Sequence, residues 1–404
     1  MTHARVIGTG LHAFGRFPDL SIQQLARVAI WEAIHDAGLA GPEIGIAYVA
    51  NCYSGFFTSQ VDAVAPMVIG HAGLSGMPMV HVEGGGAAGS VAFHQAVLAV
   101  ESGQYRVALA VGVEKIYVPG QPAASISAIA TSGEQTTATQ LGLTWVADLS
   151  MSSRRLMERY GWTARDFAAV AAKNRFHGAL NPQAEVQQAI TVDDILAARS
   201  VAPPLTRPMC AGAAVDGAAA VIVTDAETAA KLSSGRPSPQ VAAMGVVGGR
   251  YVSNRVEDDR PGMLSMDEAS RAFGLAYERS GVNPADIELL QVHDAVAPEE
   301  LLAYQVVGLC AAGEEPALLH AGATALGGRV PVNTDGGLLS RGHPIAASGV
   351  AQVVESVRQM RGNLGRRQAL PKARPPRVAA IQNAGAQGGP SSGVAFSAAF
   401  VLTT

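Results

Sequence analysis

Cysteine is scarce in this chain. Cys52, Cys210 and Cys310 are the only three in 404 residues, and they stand far apart. An odd number at such spacings makes neither a disulfide framework nor a thiolate metal site, and it points to a reducing, cytoplasmic setting. Charge is scarce too. Asp, Glu, Lys and Arg supply 15% of the residues, the net charge is −4 and no long basic run occurs, which argues against nucleic acid or an anionic membrane as partner. No apolar stretch is long enough to span a bilayer. The opening MTHARVIGTG has no basic flank and long apolar core, so no signal peptide is expected. What abounds is apolar residues, at 48%, and glycine, at 45 residues, a composition suited to a compact α/β enzyme with much buried surface. The length exceeds what one core needs, so two domains or one duplicated unit are expected.

Apolar runs at Ala4–Gly8, Ile44–Asn51, Pro78–Val82 and Arg106–Val113 read as strands. Helical patterns at Ser21–Ala37, Ser59–Gly70 and Gly89–Gly103 alternate with them, which predicts a largely parallel sheet covered by helices. The order then repeats. Gln240–Val247, Ile287–Val292, Arg377–Gln382 and Gly393–Leu402 read as strands, and Met266–Ser280, Pro298–Gly308 and Ile345–Met360 as helices. SIQQLARVAIWEAIHDAGLAGPEIGIAYV and MDEASRAFGLAYERSGVNPADIELLQV share a helix, a glycine stop, an acidic connector and an apolar strand, the mark of a duplication. Between the halves, residues from about 117 to 215 read as irregular, with one helical piece near Ala164–Arg175, before VDGAAAVIVTD closes the first half as a strand.

In HVEGGGAAGSVAFHQ, Gly84, Gly86 and Gly89 spell G-x-G-x-x-G between a strand and a helix. A dinucleotide-binding turn sits on the first strand–helix junction of its unit, whereas these glycines follow the third strand. The earlier GTGLHAFG leads into Phe and Pro rather than a helix. A strand-to-helix elbow is the better reading. Two histidines occupy similar junctions: His293 follows an apolar strand, and His343 lies between a glycine-rich turn and a helix. IQNAGAQGG ends a further strand with a glycine loop. In open α/β sheets this rim is where sites form.

NTDGGLLSRGHPIAASG and HDAVAPEE, supported by MCAGAAVDGAAAVIVTD and VVGLCAAGE, resemble the thiolase superfamily, and most closely its sterol-carrier-protein-type members. The resemblance implies a five-layered α-β-α-β-α fold from two duplicated halves, residues 1–116 with 211–232 and residues 233–404, with a loop domain at 117–210 inserted in the first. It also implies acyl-CoA thioesters as substrates, no tightly bound cofactor and a homodimer or tetramer. Family members carry a nucleophilic Cys at the elbow; here that position is Gly86, and NAGAQGG lacks the second Cys that many of them place there. Cys210 and Cys310 fall at positions that are not catalytic in the family. The chain thus looks like a nucleophile elbow without its nucleophile. Steroid side-chain-cleaving aldolases resemble thiolases in the same way, with a similar GGGA turn and a small OB-fold, zinc-ribbon partner, but they have Tyr where this chain has His293 and His343.

Without an acyl-enzyme, what remains is enolate chemistry. The resemblance implies that His293 and His343 flank the thioester oxygen; backbone N–H groups around Gly86, Ala87 and Ala88 are expected as a second oxyanion site, and Asn383 reads either as orienting a water or His343 or as structural. Gly342 permits close approach beside His343, and Gly385 and Cys52 lie on the same rim, where Cys52 could stand in for the missing thiol or simply be buried. Lys173, Arg175 and His177 are candidates for a CoA phosphate. Three functions stay open: carbon–carbon bond making or breaking of the aldol type, acyl transfer without the usual Cys, and a non-catalytic subunit of a hetero-complex.

Overall fold

The computed structural model describes residues 3–133, 142, 144–232, 235–249, 266–371, 374–387 and 394–404. The first half runs β1 (Arg5–Gly15), α1 (Ile22–Ala37), β2 (Ile46–Ala50), α2 (Ser54–Thr58), α3 (Val64–His71), β3 (Met79–Val82), α4 (Ala88–Glu101) and β4 (Val107–Glu114). There follow α5 (Pro122–Ala130), α6 (Trp145–Tyr160), α7 (Ala164–Ala179), α8 (Val192–Ala197), the small strands β5 (Ser200–Ala202) and β6 (Leu205–Thr206), then β7 (Asp216–Thr224) and α9 (Ala226–Leu232). The second half runs β8 (Gln240–Gly248), α10 (Asp267–Ser280), β9 (Leu289–Gln291), α11 (Ala297–Val307), α12 (Glu315–His320), α13 (Gly337–Ser340), α14 (Ser348–Arg361), β10 (Val378–Gln387) and β11 (Val394–Thr403).

Local signals account for the long helices. Ser21 and Gln24 form a reciprocal capping box at the start of α1, and Gly38 closes it with a left-handed φ of 71°. Leu25, Ala26, Ala29, Ile30, Ala33 and Ile34 fall on one face and are all buried, as the helical period requires. The helix expected over Ser59–Gly70 is in fact broken, because Ser59 and Ala63 both take left-handed backbone conformations (φ 61° and 51°) that end α2 and precede α3.

The strands line up as β3-β2-β4-β7-β1-β8-β11-β10-β9. The order is two copies of one pattern. In the first, β3, β2 and β4 are parallel and β7 and β1 follow antiparallel. In the second, Val332 bridges to Leu290 of β9 in parallel, β9 and β10 are parallel, and β11 and β8 follow antiparallel. The copies meet where Arg5 of β1 pairs with Gln240 of β8. Each sheet is therefore mixed rather than largely parallel, since the closing strand of each half inserts between the first and fourth. That pairing also lengthens the strands. GTGLHAFG continues β1 against β7, and Asn383 and Gly385 lie within β10 rather than in a loop.

Three cores give five layers. α1 and α3 cover one face of the first sheet. α4 and α14 fill the space between the two sheets. α10 and α11 cover the outer face of the second. The two middle helices meet closely at glycines: a Cβ on Gly89 would fall 2.4 Å from the Ala346 carbonyl oxygen, and one on Gly349 would fall 2.4 Å from Ser90 Oγ. Their starts are thereby pinned side by side, each preceded by a 3-10 turn, Gly85–Ala87 and Ile345–Ala347. Between β4 and β7 the expected helical piece near Ala164–Arg175 is α7, and α5, α6 and α8 also stand among the described residues of this otherwise irregular segment. α6 is capped by Thr144 and stopped by Gly161, and α5 and α6 lie over the rim on which the turns open. None of the described helices is long and apolar enough to cross a membrane.

Candidate active site

A cavity of about 130 Å³ opens where the two turns meet, and Gly86, His293, His343 and Gly385 all line it. The imidazole centroids of His293 and His343 are 5.1 Å apart with the rings at 87°, although 50 residues separate them in sequence. His293 follows β9. Its backbone N–H donates to Gln382 Oε1 (3.0 Å), and the Asn383 side-chain amide donates to its Nδ1 (3.1 Å). Asn383 is held in turn by the Ser90 hydroxyl (3.1 Å) at the start of α4. A donor at Nδ1 leaves the His293 proton on Nε2. His343 sits just before α14, with Nδ1 2.7 Å from Ser348 Oγ; a Ser348 hydroxyl that donates there fixes the same tautomer.

Both rings are neutral. Burial, with the Arg341 guanidinium behind it, pushes the His293 pKa down to about 3. Burial, then His293, then Arg341 push His343 well below the usual value. Arg341 itself is fully buried, paired with Asp335 at 2.6 Å and lying over the Phe14 ring. The adjacent Asp294 is an anchor. It accepts from Leu338 N (2.7 Å), Leu339 N (3.4 Å) and Asn174 Nδ2 (2.8 Å), which ties the His293 strand end to α13 and α7. Lys173 pairs with Glu300 at 2.9 Å, and Glu300 also takes Asn174, Asn333 and Tyr304.

At Gly86 the backbone has closed in. A Cβ there would lie 2.7 Å from the Ala384 carbonyl oxygen and 3.2 Å from His293 Cε1. The position thus lacks the space for a side chain as well as the side chain itself.

Other expected residues fall elsewhere. Ala87 is buried and its N–H donates to the Gly84 carbonyl, while that of Ala88 goes to Gly85, so neither is an available oxyanion donor. Gly342 (φ 106°) is packed against Val215 and Glu185 behind His343 rather than on the cavity wall. Asn383 orients His293, not His343. Cys52 does not line the cavity: its thiol donates to the Gly85 carbonyl (3.2 Å), and burial, then Glu114 and Glu83, raise its pKa well above normal. Cys210 does line it, but burial pushes its thiol up to about 11. Lys173 and His177 are unavailable to a phosphate. The first is paired with Glu300, and the second is fully buried between the Asn333 carbonyl and Leu326 N–H.

Several contributors escaped the sequence reading. Tyr53, Trp145 and Glu299 line the cavity, and Tyr53 hydrogen-bonds Ser132. Glu114 is fully buried and accepts from Cys52, Tyr53 and Ser54 N–H groups and from Ala346 N–H, tying the rim of the first half to the turn before α14. The acid after VALAVGV was visible, but its partner 232 residues away was not.

Two family models match most of the chain: "Thiolase, N-terminal domain" over residues 4–200 and "Thiolase C-terminal domain-like" over residues 249–395. The chain belongs to the thiolase family. The chain is 33% identical to the acetyl-CoA acetyltransferase of Methanothermobacter thermautotrophicus over 91% of its own length and 93% of that protein's. It is 28% identical to sterol carrier protein 2 of Gallus gallus over 90% of its length and 66% of that chain, in line with the sterol-carrier-type motifs. Among solved structures, the Ltp2-ChsH2(DUF35) aldolase superposes with a TM-score of 0.78 at 26% identity, covering 100% of this chain and 98% of that one. Its relatives thus include both an acyltransferase and an aldolase, and the site must decide between them.

Proposed function

We propose that this thiolase-family protein makes or breaks a carbon–carbon bond next to an acyl-CoA thioester through an enolate, with no acyl-enzyme. One observation carries the reading: two neutral imidazoles converge on a cavity whose nucleophile position is a glycine packed against backbone. Each ring has Nδ1 engaged from behind and Nε2 as its remaining nitrogen. Two neutral donors aimed at one thioester oxygen stabilise the negative charge that develops there, and one such donor contributes ~3 kcal/mol. Neutrality over the working pH range means that this pair titrates nowhere near pH 6.5 and imposes no pH limb there. The apolar wall of Ile129, Trp145, Leu149, Val296 and Ile345 suits the acyl part of the substrate. Acyl transfer through an enzyme thioester would need a thiolate, and the burial-raised pKa of Cys210 works against one in this cavity.

The test is direct. Incubation with acetyl-CoA, propionyl-CoA or longer acyl-CoA is expected to leave the intact protein mass unchanged by mass spectrometry. A stoichiometric acyl adduct, mapped to any cysteine, would refute the reading.

Two assembly proposals accompany it. The likeness to an aldolase that joins Ltp2 to ChsH2(DUF35) supports a small OB-fold, zinc-ribbon partner for this chain. The outermost strand β3, with Val80 39% exposed, supports a two-fold homodimer formed edge to edge. Light scattering should then give twice the 41.5 kDa chain mass. A monomer at micromolar concentration would rule the dimer out.

A further inference from the structure

The two acids of HDAVAPEE do different things. Glu300 is turned into the buried network and pairs with Lys173 at 2.9 Å. Glu299, one residue earlier, lines the cavity with His293 and His343, is 7% exposed, and has no ion pair among the described residues. Its Oε2 accepts from Val296 N (3.1 Å) at the start of α11, which holds the carboxyl in place without neutralising it. A buried carboxyl beside an oxyanion pair, with no cation to satisfy it, is poorly explained as a helix cap alone.

We infer that Glu299 is the proton-transfer residue of the site, moving one proton between the β-oxygen of a 3-hydroxyacyl-CoA and the α-carbon of the enolate. The inference rests on the enolate reading above. In the cleaving direction the Glu299 carboxylate takes the β-hydroxyl proton. The O–H electron pair becomes the new carbonyl π bond, the Cα–Cβ bond breaks, and its pair moves onto the thioester oxygen facing His293 and His343. An aldehyde or ketone departs. The same proton then passes from Glu299 to Cα, leaving the shortened acyl-CoA. Nothing is oxidised or reduced. Condensation is the reverse, beginning with removal of an α-proton.

The surroundings support this role. Burial raises the Glu299 pKa to about 8, opposed by hydrogen bonds from the backbone at Val296 and Ala295. The groups that share its environment are His293, His343, Tyr53 and Cys210, with Arg207 reaching the Cys210 carbonyl. Both imidazoles are neutral, and burial holds the Tyr53 hydroxyl and the Cys210 thiol protonated, so Glu299 is the group in this set that titrates near neutrality. The carboxylate is the active form. Activity should therefore rise with pH through about 8.

The experiment is α-hydrogen exchange: acetyl-CoA or propionyl-CoA is incubated with the protein in D2O and followed by mass spectrometry. Wild type should exchange, with a rate that climbs through pH 8. Glu299→Gln keeps an acceptor for Val296 N, so its thermal unfolding should match wild type, while exchange falls by about a hundredfold or more and loses its pH dependence. Glu299→Asp should restore part of the rate and the pH limb, and serves if the Gln variant does not fold. Exchange in both variants at the wild-type rate and pH profile would overturn the role of Glu299 and leave the enolate reading standing. No exchange in wild type would overturn the enolate reading, and this inference with it.

Discussion

Alanine in place of His343 is expected to lower turnover by about a hundredfold or more while leaving the fold intact, as for loss of one oxyanion donor. His293→Ala should do the same. Neither ring carries a charge or an ion pair, and each is held by one hydrogen bond to a polar side chain at its back, Asn383 or Ser348. Removing a ring therefore strands at most one hydrogen-bonding group next to a cavity. The double variant separates shared from independent roles. If both rings serve one oxygen, removing the second after the first should cost less than it does alone, so the double variant should retain more activity than the product of the two single effects predicts. Steady-state kinetics and thermal unfolding on the three variants measure this. Unchanged turnover in His343→Ala would remove the basis for the proposed chemistry.

The second large effect is on stability. Glu300→Ala is expected to destabilise the protein by about 3–5 kcal/mol, the range for breaking a buried ion pair from one side. Both side chains are out of water, Lys173 at 8% and Glu300 at 0% exposure. Loss of the carboxylate leaves the ammonium with Asn174 Oδ1 and the Val332 carbonyl, and it strips an acceptor from Asn174, Asn333 and Tyr304. Joint replacement, Lys173→Met with Glu300→Leu, should recover part of the loss, because no unpaired charge remains. Urea unfolding reads both. A loss under about 1 kcal/mol for Glu300→Ala would show that the pair behaves as an exposed salt bridge does.

Much of this was written locally and could be read locally. The capped, periodic α1, the glycine stops and the repeated helix–strand order are short-range signals, and they led to the duplicated halves. The motifs around His293 and His343 likewise stood out as strand-to-helix junctions. What escaped depends on distant partners. The length of β1 is set by β7, some 200 residues later, so GTGLHAFG looked like a turn. β10 runs through Asn383 and Gly385 because β11 pairs with it. α6 was hidden because its polar face and the Ser and Thr around it gave a loop-like composition, although Thr144 and Gly161 mark its ends. Glu299 and Glu300 are identical neighbours in sequence, and only the folded chain turns one toward Lys173 and the other toward the cavity. Cys52 belongs to the rim by sequence, but its thiol faces the turn at Gly85.

The two ends of the nine-strand row differ, and that asymmetry limits assembly. β9 is covered on its outer side: Leu290 donates to the Pro331 carbonyl, its own carbonyl accepts from Asn333 N–H, and Val332 sits alongside as a one-residue stub of the strand that β3 represents in the other half. β3 has no such cover among the described residues. A molecule with one open rim can join a copy of itself across a two-fold, and the joining uses both rims. No sticky end is left for a third molecule. The stub at Val332 covers one of the two outer edges of the row, so the proposed pairing at β3 would leave no second strand edge for further growth.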